Sequence, residues 1–217
     1  MRQESDFLGP KDIPDNAYWG VHSARAVENF PITGRTVANM PALIRGFAYV
    51  KKAAAAANLA MGAISQQQAD AIAKACDILI AGQHHDQFVV DVIQGGAGTS
   101  TNMNANEVIA NIALETLGLP KGQYDVIHPN DHVNASQSTN DAYPTSVKLA
   151  TYFGIQDLLA ALAALRGAFQ AKAEEFKDVL KIGRTQLQDA VPMTLGQEFN
   201  AFVSMIADDE KRLRESA

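Results

Sequence analysis

The feature that most constrains this chain is a long heptad pattern in its second half. Apolar side chains recur at offsets of 3, 7, 10, 14 and 21 residues, and they are Ile155, Leu158, Leu162, Leu165, Phe169 and Phe176. A pattern sustained over three heptads predicts one continuous helix, from about residue 144 to about residue 181, with an apolar seam along one side. Such a seam is buried only against helices of similar length. One further helix is marked by Phe199, Phe202, Val203 and Ile206, so we expect other chain or other subunits to cover the rest.

The earlier part of the chain also favours helices. Residues 41–62 are alanine-rich, begin with a proline that suits a first helical turn and end with a glycine that suits a stop. Ser65 is placed to cap the next helix, which we expect to end at Gly82. Residues 86–93 are the only β-branched run of note, too short and isolated to build a sheet. We therefore predict an all-α fold, with loops and short elements over the proline- and glycine-containing residues 1–40.

Composition narrows the function classes. The 18 basic and 24 acidic side chains give a net charge of −6, which argues against nucleic acid as the main partner. Cys76 is the only cysteine, so no intrachain disulfide can form. The first residues lack the apolar core of a secretory signal, and no stretch approaches ~18 uncharged apolar residues. We therefore expect a cytoplasmic protein that does not span a membrane.

Three polar loops share one design. Residues 95–102, 130–141 and 183–191 are rich in small, hydroxyl and amide side chains, and each precedes a predicted helix. Backbone N–H groups at helix N-termini, with Thr, Ser and Asn donors beside them, form a natural site for carboxylate or phosphate groups. A single such loop is more simply a capping loop. Three together predict that an anion is bound from several sides.

Other catalytic patterns are absent or ambiguous. Gly96 and Gly98 begin like a dinucleotide fingerprint, but Thr101 stands where the third glycine belongs and no strand precedes the loop. Residues 128–132 (HPNDH) place two imidazoles near a carboxylate. This cluster fits a catalytic or anion-binding role, and it fits turn-forming chemistry with incidental histidines equally well.

Four motifs occur in order and carry a resemblance to a known family. They are residues 95–104 (GGAGTSTNMN), 128–134 (HPNDHVN), 136–141 (SQSTND) and 183–189 (GRTQLQD). Together with residues 18–22 (YWGVH), they make the chain similar to the aspartase/fumarase superfamily, and more narrowly to its aspartate ammonia-lyase branch. The resemblance runs from about Asp6 to the end of the sequence.

The resemblance implies an architecture. It implies an all-α, long-helix bundle with a small mixed N-terminal domain over residues 1–140, and the start of the central bundle over residues 141–217. It also implies a homotetramer whose active sites are each shared between three subunits. The family's catalytic serine base lies on a flexible loop that has no counterpart here. The resemblance therefore implies an N-terminal portion whose base lies beyond Ala217.

The resemblance also implies roles for individual residues. Thr99, Ser138 and Thr139 match donors to the substrate β-carboxylate, and Asn140 matches the contact to the substrate amino group. Thr185 and Gln186 match positions near the α-carboxylate. A second dicarboxylate site outside the catalytic centre is matched by His128, Asn130 and Asp131.

The implied reaction is the reversible anti-elimination of ammonia from L-aspartate to give fumarate, through an aci-carboxylate intermediate. Gln186 bears on the substrate, because fumarases carry a histidine here and glutamine cannot titrate. Hydroxide must be protonated to leave, whereas an ammonium already carries its proton. The alternatives are a class II fumarase, or a helical oligomerisation fragment without activity. We expect no cofactor and no metal ligand set; divalent-cation activation is known among relatives, with no site indicated here.

Overall fold

The computed structural model describes residues 1–217 throughout. Two compact units are present, Met1–Thr151 and Tyr152–Ala217. Both are mainly helical, as the all-α prediction requires, and each contains one two-stranded antiparallel hairpin.

The first unit is built mostly from helices, joined by loops and short turns. Its elements are β1 (Arg2–Asp6), β2 (Gly9–Ile13), α1 (Val21–Asn29), α2 (Pro41–Ala60), α3 (Gln66–Ile80), α4 (Thr99–Thr116) and the first turns of α5 (Thr139–Glu175). Short 3-10 helices cover Val37–Asn39 and His85–Gln87, and a π-helical turn covers Pro129–Val133.

Local chemistry explains where these helices begin. Pro41 occupies the first turn of α2. Ser65 caps α3 in a reciprocal box, since its hydroxyl accepts from the Gln68 N–H while the Gln68 side chain accepts from the Ser65 N–H. These observations confirm the predicted starts of both helices.

Helix α4 lies at the centre of the first unit. Every residue from 104 to 114 is buried, so this part of the helix has no solvent face and contributes polar as well as apolar side chains to the core. It packs beside α3 and α1, and fully buried side chains such as Phe47, Ile72 and Ile109 fill the space between the helices. The loop that precedes α4 is thereby held on a rigid support.

The second unit contains the rest of α5, the strands β3 (Leu180–Thr185) and β4 (Gln188–Thr194), and α6 (Leu195–Ser216). Phe169 and Phe176 contact Phe199 of α6, with ring centroids 5.8 Å apart in each pair. Arg166 Nε donates to Glu210 Oε1 at 2.9 Å between the same helices. The C-terminal end of the predicted seam is therefore packed.

The N-terminal end of the seam remains open. Leu158 and Leu165 are 47% and 45% exposed, and Met205 on α6 is 61% exposed. By length and apolar composition alone, α5 is also a helix that could cross a membrane, although one such helix is weak evidence. The expectation of a protein outside the membrane therefore stays a prediction.

Two predictions about secondary structure were wrong. The long helix covers Thr139–Glu175, so it begins and ends earlier than predicted. Residues 183–191 are not a loop before a helix but most of the β3–β4 hairpin. Pro192 fits there because a strand of a two-stranded hairpin has a free edge that needs no N–H donor. The prediction for residues 86–93 is confirmed, because they build no sheet and contribute only an isolated bridge between Asp91 and Thr36.

Candidate carboxylate-binding site

The loop before α4 ends in a residue that must be glycine. Gly98 has φ +87°, and a side chain there would also meet the ring of Tyr143 on α5. Gln94 closes the loop, because its amide nitrogen donates to Thr101 Oγ1 at 2.7 Å and its oxygen accepts from the Thr101 N–H at 2.8 Å. Thr99, the first residue of α4, is left exposed at the helix N-terminus.

The loop before α5 presents a second helix N-terminus. Ser138 Oγ accepts from the Asn140 N–H at 3.1 Å, and its backbone oxygen accepts from the N–H groups of Asp141 and Ala142. The capping interpretation is thus correct for Ser138. Its hydroxyl hydrogen remains available to a ligand, because capping uses only the oxygen as an acceptor. Ser138 and Asn140 are both exposed.

One buried amide joins the two helix starts. Asn102, on the first turn of α4, donates from Nδ2 to Thr139 Oγ1 at 3.1 Å and to Asn134 Oδ1 at 3.1 Å. Because Thr139 Oγ1 accepts this bond, its own hydrogen is free to point away from the protein interior. Two of the three predicted loops therefore meet, with two positive helix ends side by side. Such an arrangement favours a carboxylate or phosphate.

A buried lysine lies behind this junction. Lys51 of α2 is fully buried, and its Nζ donates to Asn134 Oδ1 at 2.8 Å. Burial lowers the pKa of Lys51 to about 7 because the ammonium loses its water. We did not predict this residue from the sequence. Its spacing could have revealed it, since Lys51 falls on the same helix face as the buried Phe47 and Ala55, whereas Lys52 does not.

The third predicted loop has a different form. Thr185 ends β3, and Gln186 and Leu187 make the two-residue turn to β4, with φ +47° and +64°. Both turn residues are exposed in the second unit, and Leu187 is 99% exposed. Left-handed backbone at two non-glycine residues is costly, and such strain is found preferentially at functional sites.

The three residues of the expected second site meet in one cavity. His128, Asn130 and Asp131 line an open cavity of about 630 Å³ together with His22 and Met103. His128 Nδ1 accepts from the N–H groups of Asn130 and Asp131, so it is an acceptor in this arrangement. The same nitrogen lies 3.5 Å from the Asp131 carboxylate.

His22 adds an imidazole to this cavity, and we did not predict it as a functional residue from the sequence. Its Nδ1 lies 3.1 Å from Oε1 of Glu107, a fully buried side chain of α4. This hydrogen bond raises the pKa of His22. Glu107 also accepts from the N–H groups of Gly20, His22 and Ser23, so its carboxylate sits against the N-terminus of α1.

Among residues 1–217, no three His, Cys, Asp or Glu side chains are grouped as a metal site.

The sequence of this chain is similar to those of known proteins. A family model described as Lyase matches residues 9–217. An aspartate ammonia-lyase of Helicobacter pylori strain J99 is 57% identical over 209 residues, which are 96% of this chain and 45% of that protein. The chain thus spans about half the length of the curated relatives it matches.

Two solved structures are also similar. A fumarate lyase:delta crystallin from Brucella melitensis has a TM-score of 0.96 at 56% identity, over 99% of this chain and 48% of that one. A recombinant class II fumarase from Schistosoma mansoni has a TM-score of 0.87 at 38% identity, over 97% of this chain and 44% of that one. The fold, the ordered polar motifs and the match over residues 9–217 lead to one conclusion: the chain belongs to the Lyase family.

Proposed function

We propose that the protein containing this chain catalyses the reversible elimination of ammonia from L-aspartate to give fumarate. The observation that carries the proposal is the 57% identity, over 96% of the chain, to a relative named aspartate ammonia-lyase. The meeting of two helix N-termini at Asn102 and Thr139 supports it, because the reaction needs donors aimed at a carboxylate.

In this reaction, each proposed hydrogen-bond donor has a defined role. The Cβ proton of aspartate is weakly acidic, and its removal becomes feasible only when the β-carboxylate can hold a second negative charge as an aci-carboxylate. Thr99, Ser138 and Thr139 are the proposed donors to that charge, and each could contribute on the order of 3 kcal/mol to the transition state. Asn140 is proposed to accept from the substrate ammonium, and Thr185 and Gln186 to bind near the α-carboxylate.

The leaving group and the base complete the proposal. Gln186 has no titratable proton, which suits ammonia because an ammonium departs with its proton already in place. The base is proposed to be a serine outside residues 1–217, as the family resemblance implies. No cofactor is proposed, and divalent-cation activation is left without an assigned site.

A class II fumarase is the second candidate. Its support is the Schistosoma mansoni fumarase structure, at a TM-score of 0.87 but a lower identity of 38%. The aspartate reaction is favoured by the higher identity of the ammonia-lyase relative and by the amide at Gln186.

Assembly and location are also proposals. A homotetramer with each active site shared between three subunits would cover the exposed Leu158 and Leu165 of α5. Residues 1–140 are proposed as a small mixed domain and residues 141–217 as the start of the central bundle. We further propose a cytoplasmic protein, and a second dicarboxylate site at His128, Asn130 and Asp131.

The deciding experiment compares two substrates. Full-length protein is supplied with aspartate or with malate, and fumarate is followed by its ultraviolet absorbance. Fumarate from aspartate alone is the expected result. Fumarate from malate alone would replace the proposal by the fumarase, and fumarate from neither would leave the oligomerisation role. Gln186→His tests the leaving-group argument: undiminished aspartate turnover with new malate turnover would contradict it.

A further inference from the structure

Lys51 is placed where a lysine is costly. It lies on the inner face of α2, is fully buried and pairs with no carboxylate. The only titratable group that acts on it is the thiol of Cys76 on α3, which is itself fully buried and neutral because burial raises its pKa to about 12. A methionine would fill much of the same space without the cost of removing an ammonium from water.

The hydrogen bonds of Asn134 show what the lysine does. Asn134 Oδ1 accepts from Lys51 Nζ and from Asn102 Nδ2, while Asn134 Nδ2 donates to the backbone oxygen of Gln137. The two donors on one side and the acceptor on the other fix which way the amide faces. Asn102 is then held with its Nδ2 toward Thr139 Oγ1. Lys51 is therefore connected to Thr139 through two side-chain amides.

We infer that Lys51 is a positioning residue for the proposed carboxylate site. Its Nζ donates to Asn134 and orients that amide. Asn134 and Thr139 together orient Asn102, and the Thr139 hydroxyl is left to donate to the substrate. The inference rests on the proposed function, since it assigns Lys51 to the same site.

The neighbouring lysine provides a matched control. Lys52 has the same side chain one residue along, but it is partly exposed and forms an ion pair with Asp77 at 2.6 Å. The full-length variants Lys51→Met and Lys52→Met therefore remove the same group from α2, and only the first removes it from the amide chain.

The test measures catalysis and thermal stability together. Lys51→Met is expected to lower kcat/KM for aspartate about 10-fold to 100-fold, the range for groups that orient a functional side chain, while Tm stays the same or rises. Lys52→Met is expected to change kcat/KM less than twofold. A kcat/KM for Lys51→Met within twofold of wild type would overturn the inference, and so would a loss accompanied by a lower Tm, which a structural role predicts.

A second route covers a Lys51→Met protein that fails to fold. Lys51→Gln keeps an N–H donor and is expected to fold and to retain more activity than Asn134→Ala, which removes the acceptor. Where all variants fold, combining Lys51→Met with Asn134→Ala is expected to cost no more than either change alone, because both act through one amide. Additive losses would contradict the inference.

Failure of the proposed function is detected separately. Wild-type protein that does not turn over aspartate would end the proposed reaction before any variant is compared. Succinate binding, measured by calorimetry on the same variants, then tests Lys51 without turnover: about 10-fold weaker binding by Lys51→Met than by Lys52→Met supports its positioning role, and equal binding overturns it.

Discussion

The Thr139 hydroxyl group already accepts one hydrogen bond within the protein. Its oxygen accepts from the buried Asn102 amide, so its hydrogen is available to a substrate. We expect Thr139→Val, which keeps the shape and removes the hydroxyl, to lower kcat/KM for aspartate about 100-fold to 1000-fold, as when an oxyanion donor is lost. The measurement is steady-state kinetics on full-length protein.

Thr145→Val is the matched control for that substitution. Thr145 also lies in the first turns of α5, but its hydroxyl donates to the backbone oxygen of Asp141 within the same helix. We expect its kcat/KM to stay near the wild-type value. Equal losses in the two variants would indicate damage to the helix rather than the loss of a substrate contact.

Lys51 gives a prediction about pH and stability. Its pKa is about 7 in the folded chain and about 10.5 when unfolded, so the folded state binds fewer protons between these values. The free energy of unfolding should therefore gain a contribution that increases as pH rises from 7 to about 10, whereas below pH 7 the full cost of the buried ammonium remains. Lys51→Met should remove this pH dependence, and below pH 7 it should raise the free energy of unfolding by about 1 to 4 kcal/mol. Denaturant unfolding from pH 6 to pH 9 measures it, and a pH dependence that is unchanged in the variant would disprove the assignment.

The elements differ in how much the sequence could predict about them. Helices α2 and α3 were predictable because their starts are set locally, by Pro41 and by the Ser65 capping box. The β3–β4 hairpin was not, because its turn is Gln186–Leu187 and neither residue favours positive φ. The conformation of this turn must therefore be set by contacts outside it, and the local sequence does not predict it.

That strained turn leads to a stability prediction. Leu187 has φ +64° and is 99% exposed. Its left-handed backbone therefore costs free energy that no burial of its side chain offsets. Leu187→Gly is expected to raise the free energy of unfolding by about 1 kcal/mol, because glycine adopts this conformation without a Cβ clash. Thermal unfolding of the full-length protein measures it.

Leu180→Gly serves as the control in the same hairpin. Leu180 is 81% exposed in the extended strand β3, where glycine offers no conformational advantage. We expect this variant to be less stable than wild type. If Leu187→Gly were also less stable than wild type, the contacts of Leu187 in the full-length protein would outweigh the backbone strain.

At the scale of the whole molecule, the sequence predicts residues of a candidate site but not the hydrogen bonds that connect them, and their roles stay predictions. The family motifs pointed to Thr99, Ser138 and Thr139. Lys51 and the amide of Asn134 are connected to Thr139 alone, through Asn102, by contacts between distant parts of the chain. Sequence spacing cannot show such contacts, because they depend on how α2, α4 and the start of α5 pack. Thr185 and Gln186 were predicted as part of the same site, and that remains a prediction.

The open side of the second unit carries the last prediction. Leu158 and Leu165 on α5, with Met205 on α6, leave an apolar surface that a soluble protein would cover. Leu165→Glu places a charge on this surface, so we expect full-length protein to lose the proposed tetramer and show a smaller mass by light scattering. Ala160→Glu adds the same charge at an exposed position opposite the seam and should leave the mass unchanged. If Leu165→Glu were still tetrameric, this surface would be covered within one subunit. The charge can dissociate the tetramer only if Leu165 lies in an interface between subunits.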